Sequence, residues 1–349
     1  MTVNFDVRPL LNSNKYRGIG RYVEGLWNEL ARVEQVSLVP MAGLVRGEWK
    51  EVQYLLDYAY FRMCSPARAG LAHITEKYSV ARVGTLPTII TVYDLIPARL
   101  TPVEKGRVGT LLWAIQERQI GRALYVLAIS HTVRTEVVAR YDLDPSRVQV
   151  VYPGTSIHTL TPEAPSDTFL RWQEKEPNFL LAVADQRFVD HRKRLDLIAM
   201  VGNLLDVPVV FVGKRGDYTR YIAQQVSDKQ YLSKCIFLDF IPDRQLAYLY
   251  RSAAALVFPS SVEGFGIPLI EARSVGCPVV AMDIPVVREV LGQEAVLLCD
   301  GDDERIAAEK VDATMRRCRP QPDLRFSWAD SGRQLLDVYQ RVIADAYSR

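Results

Sequence analysis

Residues 254–283 read AALVFPSSVEGFGIPLIEARSVGCPVVAMD. An apolar run closes at Pro259, a Ser/Gly-rich turn follows, a helical segment comes next, and a second apolar run extends from Pro278 to Met282. Short apolar runs bounded by turn signals read as buried strands, so the stretch predicts a strand-turn-helix-strand unit of a parallel sheet. The same alternation recurs along the chain. Apolar runs at 3–7, 36–39, 71–74, 88–92, 124–129 and 148–151 form one series; those at 179–184, 208–212, 236–238, 254–258, 278–281 and 295–298 form a second. Helical stretches separate several of them, which predicts an α/β fold with mainly parallel sheets. A chain of 349 residues has room for two domains, and 48% hydrophobic with 24% charged residues allows a packed core in each.

The turn inside the 254–283 unit carries the chemistry. Glu263 stands just before Gly264-Phe265-Gly266, and Glu271 follows about two helical turns later, on the same side of the expected helix but too distant to act as a coupled pair. The backbone N–H groups of Phe265, Gly266 and Ile267 open a helix N-terminus, where the peptide dipoles favour an anion. Gly264 and Gly266 permit close approach to the main chain. An anion at this turn, flanked by carboxylates able to bind hydroxyls, points to a phosphorylated sugar.

The run Glu263-Gly-Phe-Gly-Ile-Pro-Leu-Ile-Glu271, continued by Ala272, Gly276 and Pro278-Val-Val, closely resembles the donor-binding signature of retaining nucleotide-sugar glycosyltransferases, in particular family 4 with the GT-B fold. Two glutamates at this interval on an arbitrary helix would read as a solvated face; the Ser-Ser-x-Glu-Gly-Phe-Gly context decides otherwise. The resemblance implies two Rossmann-like domains facing a cleft, a nucleotide-diphosphate sugar as donor substrate, no further cofactor and no metal. It assigns ribose hydroxyls to Glu271 and the donor sugar ring to Glu263. Charge stabilisation of the departing diphosphate would fall to fixed cations and helix N–H groups.

Those cations are sought in Asp185-Gln-Arg187-Phe-Val-Asp-His-Arg192-Lys193-Arg194, which follows the first strand of the second series. A charge run is usually a solvated loop, but this one occupies the position of the family's Arg-Lys-Asn segment. Arg192 and Lys193 match that segment, Arg194 stands where the asparagine is expected, and Arg187 is a substitute for an arginine that other relatives place earlier. Gly213 and Lys214 resemble the family's Gly-containing turn near the nucleotide; they are not a P-loop, since the preceding glycine and the following Ser/Thr are missing. Gly18 and Gly20 resemble a Gly-rich loop that faces the diphosphate. Val23 occupies the place of the third glycine of a dinucleotide fingerprint, which that loop therefore lacks. Tyr93-Asp94 stands where relatives usually have His-Asp. A phenol can bond a sugar hydroxyl but cannot carry a proton near neutral pH, and Asp94 either touches substrate or braces its loop. Ser130-His131 reads as a helix start, and Asp142-Leu-Asp144 as a turn.

By the same resemblance the chain divides into an acceptor-side domain at 1–160, a linker at 161–175, a nucleotide-sugar domain at 176–326, and a C-terminal helix at 327–349 that returns to the first domain. The opening Asp6-Val-Arg8-Pro with Gly18-Ile-Gly20-Arg21-Tyr22 looks most like bacterial transferases that build surface polysaccharides, often mannosyl- or rhamnosyltransferases. Their acceptor is a glycan or lipid-linked glycan, and acceptor choice is expected in loops at 45–68. A net charge of +2 gives no reason to expect a nucleic-acid partner. The N-terminus lacks a signal-peptide layout, no run reaches membrane-span length, and five unpatterned cysteines read as reduced thiols. A cytoplasmic protein follows, with a basic bias at 99–122 that either contacts the inner membrane peripherally or is a solvated helix face. The alternative to a transferase is a catalytically weak or inactive GT-B partner subunit that binds a nucleotide sugar without turnover.

Overall fold

The computed structural model describes residues 1–16, 18–42, 70–75, 83, 85–99, 102–226, 228–292 and 295–347; the loops at 45–68 expected to choose the acceptor lie outside them. The strands are β1 (Thr2–Asp6), β2 (Ser37–Met41), β3 (Leu71–Ile74), β4 (Thr88–Val92), β5 (Tyr125–Ala128), β6 (Val148–Val150), β7 (Leu180–Val183), β8 (Val209–Val212), β9 (Ile236–Leu238), β10 (Ala255–Phe258), β11 (Val279–Met282) and β12 (Val296–Leu298). They form two six-stranded sheets, ordered β2-β1-β3-β4-β5-β6 and β12-β11-β10-β7-β8-β9, with every pairing within them parallel. Each predicted apolar run is a strand to within two residues at either end. The reason is burial on both faces: β3, β4, β8, β10 and β11 have no exposed position, so they read as unbroken apolar runs.

The chain falls into two compact units. One comprises Met1–Gly154 with Ser327–Arg349, the other Thr155–Phe326. The chain thus enters the second unit six residues before the boundary expected at 160/161. Within the stretch read as linker, Asp167–Lys175 is a helix. Ser166 caps it, accepting the Phe169 N–H at 3.1 Å, and Phe169 is buried against Trp172, Phe179 and Tyr248. A nine-residue helix with two aromatic anchors carries too few apolar positions to show a period in sequence.

In the first unit, the C-terminal helix Trp328–Tyr347 covers the sheet, with Leu335, Tyr339 and Val342 fully buried. It also packs on the helix Gly18–Leu30, where a side chain at Gly25 would collide with the Trp328 ring at 2.5 Å. In the second unit, β7, β8, β10 and β11 share one core with the helices Leu195–Leu205 and Glu304–Met315. That core places the carboxyl ends of β7 and β10 next to each other.

Candidate functional site

The second sheet runs outward in opposite senses from the neighbouring strands β7 and β10. Connections from two such strands leave on opposite faces, opening a crevice beyond their carboxyl ends where ligands of open α/β sheets bind. The two loops that flank this point are 184–194 and 259–266. They are joined through main chain, the Ser261 N–H donating to the Arg192 carbonyl at 2.9 Å. The Lys193 ammonium and the Glu263 carboxylate form an ion pair, and Lys193 Nζ lies 5.9 Å from the centre of the Phe258 ring.

Other main-chain bonds hold the first loop in place. Gln186 N–H donates to the Lys214 carbonyl at 2.9 Å, while Asp217 and Tyr218 N–H groups donate to Arg187 and Gln186 carbonyls at 3.1 Å. Gly213 makes this possible: it has φ +145°, and a Cβ there would sit 1.9 Å from the Ala184 carbonyl oxygen. Two of the loop's three arginines are paired with aspartates two residues earlier, Arg187 Nη2 to Asp185 Oδ2 at 2.6 Å and Arg192 Nη2 to Asp190 Oδ2 at 2.8 Å; Arg194 Nη1 lies 3.6 Å from Met282 Sδ. Burial alone would raise the Asp190 pKa, yet the Arg192 hydrogen bond and charge, with Lys193 beyond, hold it below the ordinary carboxylate value. Hydrogen bonding to Asp185 raises the Arg187 pKa. Lys214 is more exposed and lies 3.4 Å from Asp239.

The second loop ends at Gly266, whose φ of +95° and ψ of 63° precede the helix Ile267–Ser274. The positive φ stops the helix from extending backward, so Glu263 is in the turn rather than on a shared helical face with Glu271. Glu271 is inside the helix, 3% exposed, with the Tyr250 hydroxyl donating to its Oε2 at 2.9 Å. Phe265 is buried edge-on against Phe326, ring centres 5.4 Å apart. Its side chain is committed to the core.

In the first unit, Gly18 and Gly20 lie in the opening turn of the helix Gly18–Leu30 rather than in a loop before it. Gly18 is exposed; Gly20 is buried under the 3-10 turn Ser13–Tyr16, where a Cβ would be 2.5 Å from the Asn14 carbonyl oxygen. Tyr93 is 6% exposed, and its hydroxyl donates to the Thr75 carbonyl at 2.8 Å. Asp94 Oδ1 accepts the Ile96 N–H at 2.9 Å, bracing the turn into the helix Ile96–Arg99. Ser130 caps its helix as expected, accepting the Val133 N–H at 3.0 Å; Asp142 takes the left-handed conformation after it, and Asp144 accepts the Ser146 N–H at 2.8 Å.

Within the second unit the fold therefore brings together Arg192, Lys193 and Glu263 beside the Gly266 turn, while Arg187 is held against the turn after β8. Reading the sequence missed Asp185, Asp190 and Tyr250, each of which holds one of the expected residues. A signal for the first two was present, since an aspartate stands two positions before an arginine in both. Tyr250 left none, because its partner is 21 residues away on another helix. Among the described residues, no helix is long and apolar enough to cross a membrane.

Residues 171–333 match the family described as "Glycosyl transferases group 1", and residues 58–158 match "Glycosyltransferase Family 4". The O-antigen chain mannosyltransferase RfbU of Salmonella typhimurium is 32% identical over 229 residues, 62% of this chain and 57% of that protein. The O-antigen chain mannosyltransferase B of Escherichia coli is 25% identical over 257 residues, 68% of this chain and 65% of that protein. Both matches span less than two thirds of the relative's length. The crystal structure of Anabaena HepE in complex with UDP and glucose has a TM-score of 0.70 at 18% identity, over 97% of this chain and 99% of that one, a likeness of fold. With two parallel six-stranded sheets and these two matches, the chain belongs to the group 1, family 4 glycosyltransferases of GT-B architecture.

Proposed function

We propose that the protein is a retaining, metal-independent glycosyltransferase. It moves a hexose or deoxyhexose, with mannose favoured, from a nucleotide-diphosphate sugar to a hydroxyl of a growing glycan of the bacterial surface, such as lipopolysaccharide, O-antigen or exopolysaccharide. The observation that carries the reading is the pairing of Lys193 with Glu263 at the point where the sheet order reverses, beside the helix N-terminus at Gly266. A cation for phosphate and a carboxylate for sugar hydroxyls there stand one contact apart. The similarity to two O-antigen mannosyltransferases supports the sugar and the pathway class, and HepE, crystallised with UDP and glucose, supports a nucleotide sugar as donor.

In this reading Glu271, oriented by Tyr250, takes the ribose hydroxyls. Arg192 and Lys193, supported by Arg187, Lys214 and the N–H groups at 265–267, stabilise the charge that grows on the diphosphate as the glycosidic bond breaks. The acceptor hydroxyl attacks from the face the diphosphate leaves, giving up its proton to a donor phosphate oxygen. Gly18, Gly20, Tyr93 and Asp94 belong to the other unit and are assigned to the donor by resemblance. The domain roles follow: acceptor on the first unit, nucleotide sugar on the second, at the cytoplasmic side of the membrane.

Calorimetry with UDP, GDP, dTDP and their sugar conjugates, without added metal, tests the reading on wild type and Glu271→Ala. One nucleotide bound best, with its affinity lost on truncation by about tenfold or more, is expected from removing a charged hydrogen-bond acceptor. Absence of binding by every nucleotide would overturn it. The hydroxyl of Tyr93 bonds main chain at the position where the family resemblance leads one to expect a histidine, which is the observation favouring an inactive partner subunit. That alternative predicts binding of a nucleotide sugar without its slow hydrolysis or transfer.

A further inference from the structure

The loop after β7 contains two copies of one local arrangement. In each, an aspartate Oδ1 accepts the backbone N–H of the arginine two residues on, and the guanidinium turns back onto the same carboxylate through Nε and Nη2. For Asp185 and Arg187 the three bonds measure 3.1, 3.0 and 2.6 Å. For Asp190 and Arg192 they measure 3.2, 2.8 and 2.8 Å. The same staple recurs at Asp6 and Arg8, both buried, and at Asp323 and Arg325. The arrangement recurs in four settings; at Asp303 and Arg305 only the backbone bond forms, because Asp303 caps a helix and also accepts the Ile306 N–H.

The physics of the device is orientation. The backbone bond is an Asx turn that fixes the aspartate side chain. The carboxylate then holds the planar guanidinium through two parallel bonds. A free arginine carries rotamer entropy that a ligand must remove, whereas a stapled one has been ordered during folding. Both staples stand on rigid footing. The Arg187 carbonyl accepts the Asp217 N–H and the Arg192 carbonyl the Ser261 N–H, and the His191 ring packs edge-on to Tyr221 with centres 5.4 Å apart.

We propose that Asp185 and Asp190 are positioning residues for a nucleoside diphosphate: they hold Arg187 and Arg192 in fixed orientations before it binds. The inference rests on the donor-site reading of this loop. It also has a sign that separates it from simple electrostatics. Each aspartate places a negative charge one hydrogen bond from a phosphate-binding cation, so through-space charge alone predicts that Asp→Asn tightens the anion. Positioning predicts the reverse, since asparagine keeps the oxygen for the Asx turn but presents an N–H donor to Nη2, and the guanidinium swings free.

The test is calorimetry at fixed salt with whichever of UDP, GDP and dTDP the wild type binds best, and with its monophosphate. Asp190→Asn and Asp185→Asn are measured alone, and Asp190→Asn also in an Arg192→Met background. The expected result is diphosphate affinity lowered about tenfold in each single variant, the scale of one charge-assisted hydrogen bond, with a smaller change for the monophosphate. In the Arg192→Met background the Asp190→Asn change should vanish, as required of two residues acting as one. Tighter diphosphate binding in the single variants overturns the proposal. So does an equal loss for mono- and diphosphate with a lowered unfolding midpoint, which would mark a disordered loop. If the wild type binds no nucleoside diphosphate, the donor reading itself falls and this inference with it; wild-type binding with unweakened variants removes this inference alone.

Discussion

At Gly266 and Gly213 the backbone takes φ of +95° and +145°, which side-chain-bearing residues rarely adopt. The two differ in what a methyl group would meet. At Gly266 it meets the flexible end of Leu269 at 2.8 Å, at Gly213 the Ala184 carbonyl oxygen at 1.9 Å. Gly266→Ala is therefore expected to lower stability by about 1–3 kcal/mol, the range for strained backbone, read as a shift in urea midpoint. Gly213→Ala is expected to lower it further, because main chain must move. Both should also weaken nucleotide binding, as each shapes a loop of the candidate site. At the same scale, Lys193→Met should weaken nucleoside diphosphate binding while Glu263→Gln does so much less, since in the proposed reading only the cation meets phosphate. Calorimetry on the two variants checks this, and equal losses would assign both side chains to one role.

The C-terminal helix is joined to the first sheet by a buried polar chain. His73 on β3 has Nδ1 2.6 Å from the Tyr339 hydroxyl and Nε2 2.7 Å from Thr91 Oγ1 on β4. One ring nitrogen donates and the other accepts, so neutral imidazole satisfies both hydroxyls. Burial pushes the His73 pKa down from 6.5 to about 3, against a raising influence from Asp6. The sign follows from proton counts: below pH 6.5 the unfolded chain binds a proton that the folded one refuses until about pH 3. Stability should hold above pH 6.5 and decline as pH falls from 6.5 toward 3, by up to about 1.4 kcal/mol per pH unit for this group. Urea midpoints from pH 7 to 4.5 should show the decline, and His73→Gln should flatten it.

Across the whole molecule the two units differ in how the chain builds them. The second is one continuous segment, Thr155–Phe326, whereas the first needs both ends of the chain. Deleting residues 327–349 removes the buried Leu335, Tyr339 and Val342 and bares the core beneath them. The truncated protein is expected to lose cooperative unfolding of its first unit and to aggregate. A fragment spanning 155–326 should instead unfold in one transition and keep only the share of nucleotide affinity that Glu271 and the 184–194 loop supply, measurable by calorimetric scanning and titration.

Much of this was legible in the residues. Strands buried on both faces need apolar side chains at every position, so the runs that became β3, β4, β8, β10 and β11 announced themselves, and their alternation with helices implied parallel sheets. The Glu263-to-Glu271 turn was equally visible, because a glycine-rich entry to a helix is a local feature. The pairing of groups distant along the chain was not. Lys193 meets Glu263 across 70 residues, Tyr250 meets Glu271 from another helix, and Tyr93 turns its hydroxyl to the carbonyl of Thr75 on a neighbouring strand end. Sequence determines which side chains a segment carries and the period at which it buries them. Only the tertiary structure decides which charged and polar groups share a space, since those bonds join segments whose separation along the chain says nothing of their distance.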